Sequence, residues 1–312
     1  MSSNSTFQCS PALHRKAGET CLPTPSLEKL TRIWNKKYPR NKINLGNATR
    51  KTKKDDQSAG NTRNAKIWRQ LRNAMKQRYK CETEYCLVKK LPGIDESEKQ
   101  SMMKFFRPEK PAEWKKTPRL WLDSYNIEDV LAQYEDADTK FEFIGPVPID
   151  FDSKIGSFGK CIVDELCKLD LEKVHAEGTK KIGIVFNLDK HNEPGSHWVC
   201  AFLDLVKKEA YYFDSYGFEP PTEILEFLQK CKSSPYCERV FYNDIRHQRK
   251  GSECGMYCLF VLICLIHDKP FYDICKNILD DDMVASFRDV LYATENPKRK
   301  TIDDAFHWFK QF

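Results

Sequence analysis

The order of apolar and polar positions divides the chain in two. In the first part apolar residues recur at helical spacing. Leu27, Leu30, Ile33 and Trp34 fall on one face between Ser26, an expected N-cap, and Pro39, which stops the helix. Ile67, Leu71 and Met75 line one side of a second helix, with Arg69, Arg72, Lys76 and Arg78 largely on the others. The stretch between them, residues 40–64, is polar, basic and punctuated by Gly and Asn, which predicts a loop or linker. Residues 1–25 hold Ser, Asn, Thr and Pro without periodicity and read as a flexible arm.

Past this region the period shortens. Residues 92–116 are charged and contain three prolines, so the domain boundary is expected near Lys116, with a basic helical segment over 26–116 and a second domain over 117–312. A helix is expected from Ile127 to Tyr134. Short runs rich in Val, Ile, Phe and Tyr follow at Ile182 to Leu188, Trp198 to Leu203 and Ala210 to Phe213, separated by turn signals such as Glu193-Pro194-Gly195 and Lys207-Lys208. Short loops between successive strands argue for a mostly antiparallel sheet. A helix over Glu223 to Lys232, a strand over Arg239 to Tyr242, an apolar helix from Cys254 and a last helix around Asp282 to Tyr292 complete an α+β layout.

Composition narrows this picture. An apolar share of 40% with 12% aromatics suits a folded soluble chain rather than a disordered one. The longest apolar run, Met256 to Ile266, is too short to cross a membrane and reads as a buried helix. Residues 29–80 carry 17 Lys/Arg and 2 Asp, a balance of +15 against +6 for the whole chain, so the remainder sums to −9. With Trp34, Tyr38, Trp68 and Tyr79 interleaved, that basic segment could track phosphates and stack bases, or be a solvated face over a small helical core. Thirteen cysteines and no secretory signal pattern point to free thiols in a reducing intracellular compartment. Cys81 and Cys86 lack a second pair or a nearby His and read as structural rather than metal-binding; no metal or cofactor is expected.

The candidate chemistry lies in the second domain. Cys254 stands where the loop Gly251-Ser252-Glu253 turns into the apolar helix, so helix-terminal N–H groups could lower the pKa of its thiol. His197 opens one strand and Asp214 ends the next, positions that a hairpin brings side by side, as an imidazole held by a carboxylate requires. Gln248 could aim its amide N–H at a developing oxyanion together with the backbone N–H of Cys254. Gly255 would leave space for a substrate backbone beside the sulfur. Singly, each has a plainer reading: Cys254 as a small buried hydrophobe, His197 as a structural histidine, Asp214 as a turn residue, Gln248 as a loop residue. Cys258 and Cys264 fall within the apolar helix as core, and His191 and His247 are loop histidines.

In combination these residues resemble the adenain and Ulp-type cysteine peptidases, in the branch that includes the polyprotein protease of African swine fever virus. That family's pattern is His-Trp, an Asp or Asn some seventeen residues on, then Gln and Cys six apart with Gly next; here it is His197-Trp198, Asp214, Gln248 and Cys254-Gly255. Ile245-Arg246-His247-Gln248-Arg249 with Glu253-Cys254-Gly255, and Asp280-Asp281-Asp282-Met283, look like the viral branch. Trp121-Leu122-Asp123 is similar to the family's Trp-Leu-Asn/Asp motif, whose Trp helps to roof a narrow channel; Trp121, Trp198 and Gly255 would then contact substrate. The resemblance covers about residues 119–292. It implies a papain-like, Ulp-type core with a nucleophile helix, and cleavage of structural polyproteins after Gly-Gly-X during virion maturation, in host cytoplasm and virion. Two other readings stand beside it. One is an isopeptidase removing a small ubiquitin-like modifier, which would use the same catalytic set. The other is a scaffold that binds nucleic acid or another acidic partner through residues 29–80 and carries an inert peptidase-like domain.

Overall fold

The computed structural model describes residues 8–13, 20–45, 63–156, 159–295 and 297. The chain forms two compact units, Met1–Lys110 with Asp289–Asp303, and Pro111–Arg288 with Asp304–Phe312. Most of the expected linker over 40–64 lies outside the described residues.

The first unit is helical: α1 (Thr24–Lys37), α2 (Arg63–Tyr79), α3 (Glu84–Lys90) and α4 (Glu96–Met103). Helix α1 starts two residues before Ser26, with Pro23 at its cap. Its buried face, Leu27, Leu30 and Trp34, meets Ile67, Trp68, Leu71 and Met75 of α2, and Ala293 of the C-terminal return segment joins the same core. Trp34 donates its indole N–H to the carbonyl of Asn41 at 2.7 Å, and the hydroxyls of Tyr38 and Tyr79 bond to each other. The aromatics of the basic segment therefore serve the core and one another, which corrects the picture of rings free to stack on bases. Of the expected flexible arm, residues 1–7 and 14–19 lie outside the described residues, and the described part is packed. Gln8, Cys9, Thr20, Cys21 and Leu22 are buried, and Cys9 is bonded to Cys21.

Two more disulfides join Cys81 to Cys86 and Cys161 to Cys167, leaving seven free cysteines. The expectation of free thiols throughout thus fails for six residues. Cys9, Cys21 and Glu84 bring potential ligand atoms within 4.8 Å of one another. Bonded as a disulfide, the two sulfurs have no thiolate to offer a metal.

The second unit opens with α5 (Ser124–Ala137), followed by β1 (Phe141–Pro148), the small hairpin β2 (Lys154–Ile155) and β3 (Lys160–Cys161), then α6 (Asp164–Cys167) and α7 (Leu171–Glu177). Next come β4 (Lys181–Asn187), β5 (Trp198–Asp204), β6 (Glu209–Phe213), α8 (Thr222–Lys232), β7 (Arg239–Tyr242) and α9 (Cys254–Ile266). After α10 (Phe271–Lys276), the helix expected around Asp282 to Tyr292 is split into α11 (Asp281–Ser286) and a turn, α12 (Arg288–Leu291).

The main sheet has the order β1-β4-β5-β6-β7. Its inner pairs are antiparallel and its outer pairs, β1/β4 and β6/β7, are parallel. The sheet is therefore mixed rather than mostly antiparallel. The physical reason is connection length: β4, β5 and β6 are joined by hairpins, whereas helical crossovers through α6–α7 and α8 return the chain in the same direction. Both faces are covered, so β5 is buried along all seven residues and reads as a continuous apolar run. Val199, Ala201 and Leu203 pack with α6, α7 and α8. Helix α9 is buried at all thirteen positions, as expected of a helix apolar on every side.

Candidate active site

Three elements of the second unit converge. His197 directly precedes β5, Asp214 directly follows β6, and Cys254 is the first residue of α9. The β5/β6 register pairs Cys200 with Phe213, which sets the strand-end histidine beside the strand-end aspartate. His197 Nε2 lies 2.8 Å from Asp214 Oδ1, leaving the other ring nitrogen for the Cys254 thiol, with which the imidazole is hydrogen-bonded. Burial acts to lower the pKa of His197, but the bonds to Asp214 and Cys254 more than offset it and raise it from 6.5 to about 9. At neutral pH His197 is thus an imidazolium beside the sulfur. Asp214, itself buried, is fixed by the backbone N–H of Tyr216 at 2.8 Å and through its own carbonyl by Asn243 Nδ2 at 2.9 Å.

Gln248 is fully buried. Its Oε1 accepts from Ser215 Oγ at 2.7 Å, and its Nε2 donates to the Lys250 carbonyl at 2.5 Å. A carbonyl only accepts, so this contact fixes which end of the amide is nitrogen. The second amide hydrogen faces the Tyr216 hydroxyl at 3.5 Å.

The loop from Gln248 to Cys254 is held at both ends. Asp281 Oδ2 accepts the backbone N–H groups of Arg249 and Lys250 at 3.0 Å each. Glu253, one residue before Cys254, is fully buried and paired with Arg288 at 2.9 Å. The Arg288 guanidinium also donates to the Leu120 carbonyl at 2.9 Å and lies 4.4 Å from the Trp114 ring centre. Arg288, Ser215 and Tyr216 carry no signal in the sequence, and Glu253 and Asp281 appear there only inside the motifs Glu253-Cys254-Gly255 and Asp280-Asp281-Asp282-Met283, with no role attached. In the latter motif Asp280 caps α11, Asp281 pins the loop, and Asp282 pairs with Lys250.

Trp121 and Trp198 line a cleft of about 500 Å³ with Asn187, Asp189, Gly195 and Ser196. Trp121 is 45% exposed and Trp198 buried, its indole N–H donating to the Leu122 carbonyl at 2.9 Å. The expectation for Gly255 is corrected. A Cβ there would stand 3.1 Å from Leu122 Cβ and 3.3 Å from Trp198 Cδ1, so the space beside Gly255 is filled by protein. Its lack of a side chain serves packing of the helix start. His247 is buried and bonded to the Cys275 carbonyl at 3.0 Å, and His191 pairs with Asp150 at the cleft lip.

The model of the Ulp1 protease family, C-terminal catalytic domain, matches residues 174–297, a span that contains all of His197, Asp214, Gln248 and Cys254. Over that span the chain resembles the catalytic domain of the Ulp1 proteases. The chain is 29% identical over 305 residues to a putative thiol protease of Acanthamoeba polyphaga mimivirus, covering 94% of this chain and 95% of that protein. It is 26% identical over 183 residues to a cysteine protease of African swine fever virus, covering 55% and 67%. The crystal structure of an African swine fever virus protease shares the fold, with a TM-score of 0.60 and 22% identity over 94% of this chain and 97% of that one. The second unit thus has an α+β fold like that of this protease, and the likeness to the mimivirus relative extends through the first unit as well.

Proposed function

We propose that this chain is a cysteine endopeptidase in which Cys254 is the nucleophile, His197 the acid and base, Asp214 the orienting carboxylate and Gln248 an oxyanion donor. The observation that carries the reading is the meeting of Asp214, His197 and the Cys254 thiol at the head of α9, with one imidazole nitrogen 2.8 Å from Asp214 Oδ1 and the ring hydrogen-bonded to the thiol. The thiolate attacks the scissile carbonyl carbon. The oxyanion takes the hydrogen of Gln248 Nε2 that faces the Tyr216 hydroxyl at 3.5 Å in the free protein, and the Cys254 backbone N–H, which α9 leaves without an intrahelical partner. His197 gives its proton to the leaving amine as the C–N bond breaks, and then takes one from the water that hydrolyses the thioester.

For the substrate, we propose polypeptides cut after Gly-Gly-X, with viral structural polyproteins as the physiological class. What supports this is the cleft that Trp121 and Trp198 line together with Gly195 and Ser196, next to His197 in sequence, and the viral relatives. A second reading, removal of a small ubiquitin-like modifier, is favoured by the name SUMO-1 cysteine protease borne by some African swine fever virus relatives. Cleavage of Gly-Gly-X peptides set beside a panel of modifier precursors separates the two. Faster turnover of modifier precursors at equal concentration would overturn the polyprotein reading.

A further inference from the structure

Outside the residues already given roles, the densest set of contacts to the site belongs to Tyr216. Its ring stacks on His197 with centroids 4.8 Å apart and planes 27° from parallel. The Arg246 guanidinium lies 5.3 Å from the same ring centre, and Arg246 Nε donates to the Gln248 carbonyl at 2.9 Å. The backbone N–H of Tyr216 donates to Asp214 Oδ1, and its hydroxyl is the neighbour of Gln248 Nε2. Its placement is rigid. Gly217, next in sequence, has φ +74°, and a Cβ there would come within 2.8 Å of the Ile245 and Arg246 backbone. The loop carrying Tyr216 is therefore pressed onto the loop carrying Gln248.

Resting on the peptidase reading, we propose that Tyr216 is a positioning residue that couples the base to the oxyanion donor: its ring face holds His197 as the imidazolium, and its hydroxyl steadies the amide of Gln248. An aromatic face attracts a cation stacked on it, so the ring favours the protonated imidazole over the neutral one. The other groups facing His197 are Asp214, which favours the imidazolium, and Cys254, which does so as a thiolate.

The two functions separate by substitution in the full chain. Tyr216→Phe keeps the ring and removes the hydroxyl. It should leave the alkaline limb of the rate profile and the NMR titration of His197 in place, while lowering kcat about 3- to 10-fold with KM little changed, as for a contact that matters in the transition state. Tyr216→Leu removes the ring. It should move the His197 titration and the alkaline limb about 1 pH unit lower, the size expected of a partly desolvated cation–π contact. Tyr216→Trp, with a larger face, should restore the limb but not the full kcat. The NMR titration reads His197 whether or not the chain cuts peptides, so failure of the peptidase reading would show in wild-type cleavage and failure of the Tyr216 assignment in the titration. An unchanged His197 titration in Tyr216→Leu overturns the assignment. If Tyr216→Leu does not fold, an unchanged kcat in Tyr216→Phe does so.

Discussion

At the scale of single residues, the account turns on the charge state of His197. Its pKa lies above the unfolded value, so the imidazolium persists through neutral pH and is lost as pH rises through about 9. Peptide cleavage should therefore fall on the alkaline side near pH 9. Asp214→Asn should keep the orientation but remove the carboxylate that favours the imidazolium, moving that limb downward; Asp214→Ala should lose more rate, since the ring is then unanchored. A stopped assay over pH 6–10 reads both, and a limb that stays put in Asp214→Asn would contradict this role. A second residue-scale prediction concerns Arg288. Replacing it by Met strands the fully buried Glu253 carboxylate directly before Cys254, which should cost about 3–5 kcal/mol of stability by denaturant titration. A loss below about 1 kcal/mol would mean that Glu253 takes up a proton or finds another partner.

At the scale of elements, the site is a meeting of three ends: the start of β5, the end of β6 and the start of α9. Much of this was legible in the sequence. A histidine opening one apolar run and an aspartate closing the next are forced together once those runs form a hairpin, and a thirteen-residue run with no polar face has to be a core helix. What could not be read was whatever depends on partners distant in sequence. The outer strands pair in parallel through helical crossovers, which no local pattern reports. Glu253 and Arg288 lie 35 residues apart, and nothing in either neighbourhood announces the pair. Gly255 shows the opposite error, a residue type read correctly as a need for space, with the space assigned to the wrong occupant. Gly255→Ala should push Leu122 and Trp198 apart by a few tenths of an ångström and destabilise the domain by about 1–3 kcal/mol. A thermal melt equal to wild type would return Gly255 to the substrate side.

At the scale of the whole molecule, the first unit draws on both ends of the sequence, with Ala293 in its core and the Lys110–Asp289 pair within it. The boundary expected near Lys116 would separate Trp114 from Arg288, whereas the compact units divide at Lys110. Two shortened chains test which position matters. One beginning at Pro111 keeps Trp114 and one beginning at Thr117 loses it; both lack residues 1–110 and keep the C-terminal segment of the first unit. The former should melt about 5 °C higher, the shift expected for about 2 kcal/mol in a unit of this size, and equal melting points would deny Trp114 a part in holding Arg288. The charge division between the segment 29–80 and the rest of the chain leads to a further expectation. Cleavage of a large acidic substrate by the full chain should weaken as salt rises, while cleavage of a short neutral peptide should not. Above all these stands the claim that one thiol does the chemistry. The most direct test is mass-spectrometric mapping of alkylation at neutral pH under non-denaturing conditions, alongside cleavage of a Gly-Gly-X peptide by wild type and Cys254→Ala. The account predicts that Cys254 is labelled before every other free cysteine and that Cys254→Ala, though folded, cuts nothing; near-normal cleavage by that variant would contradict it outright.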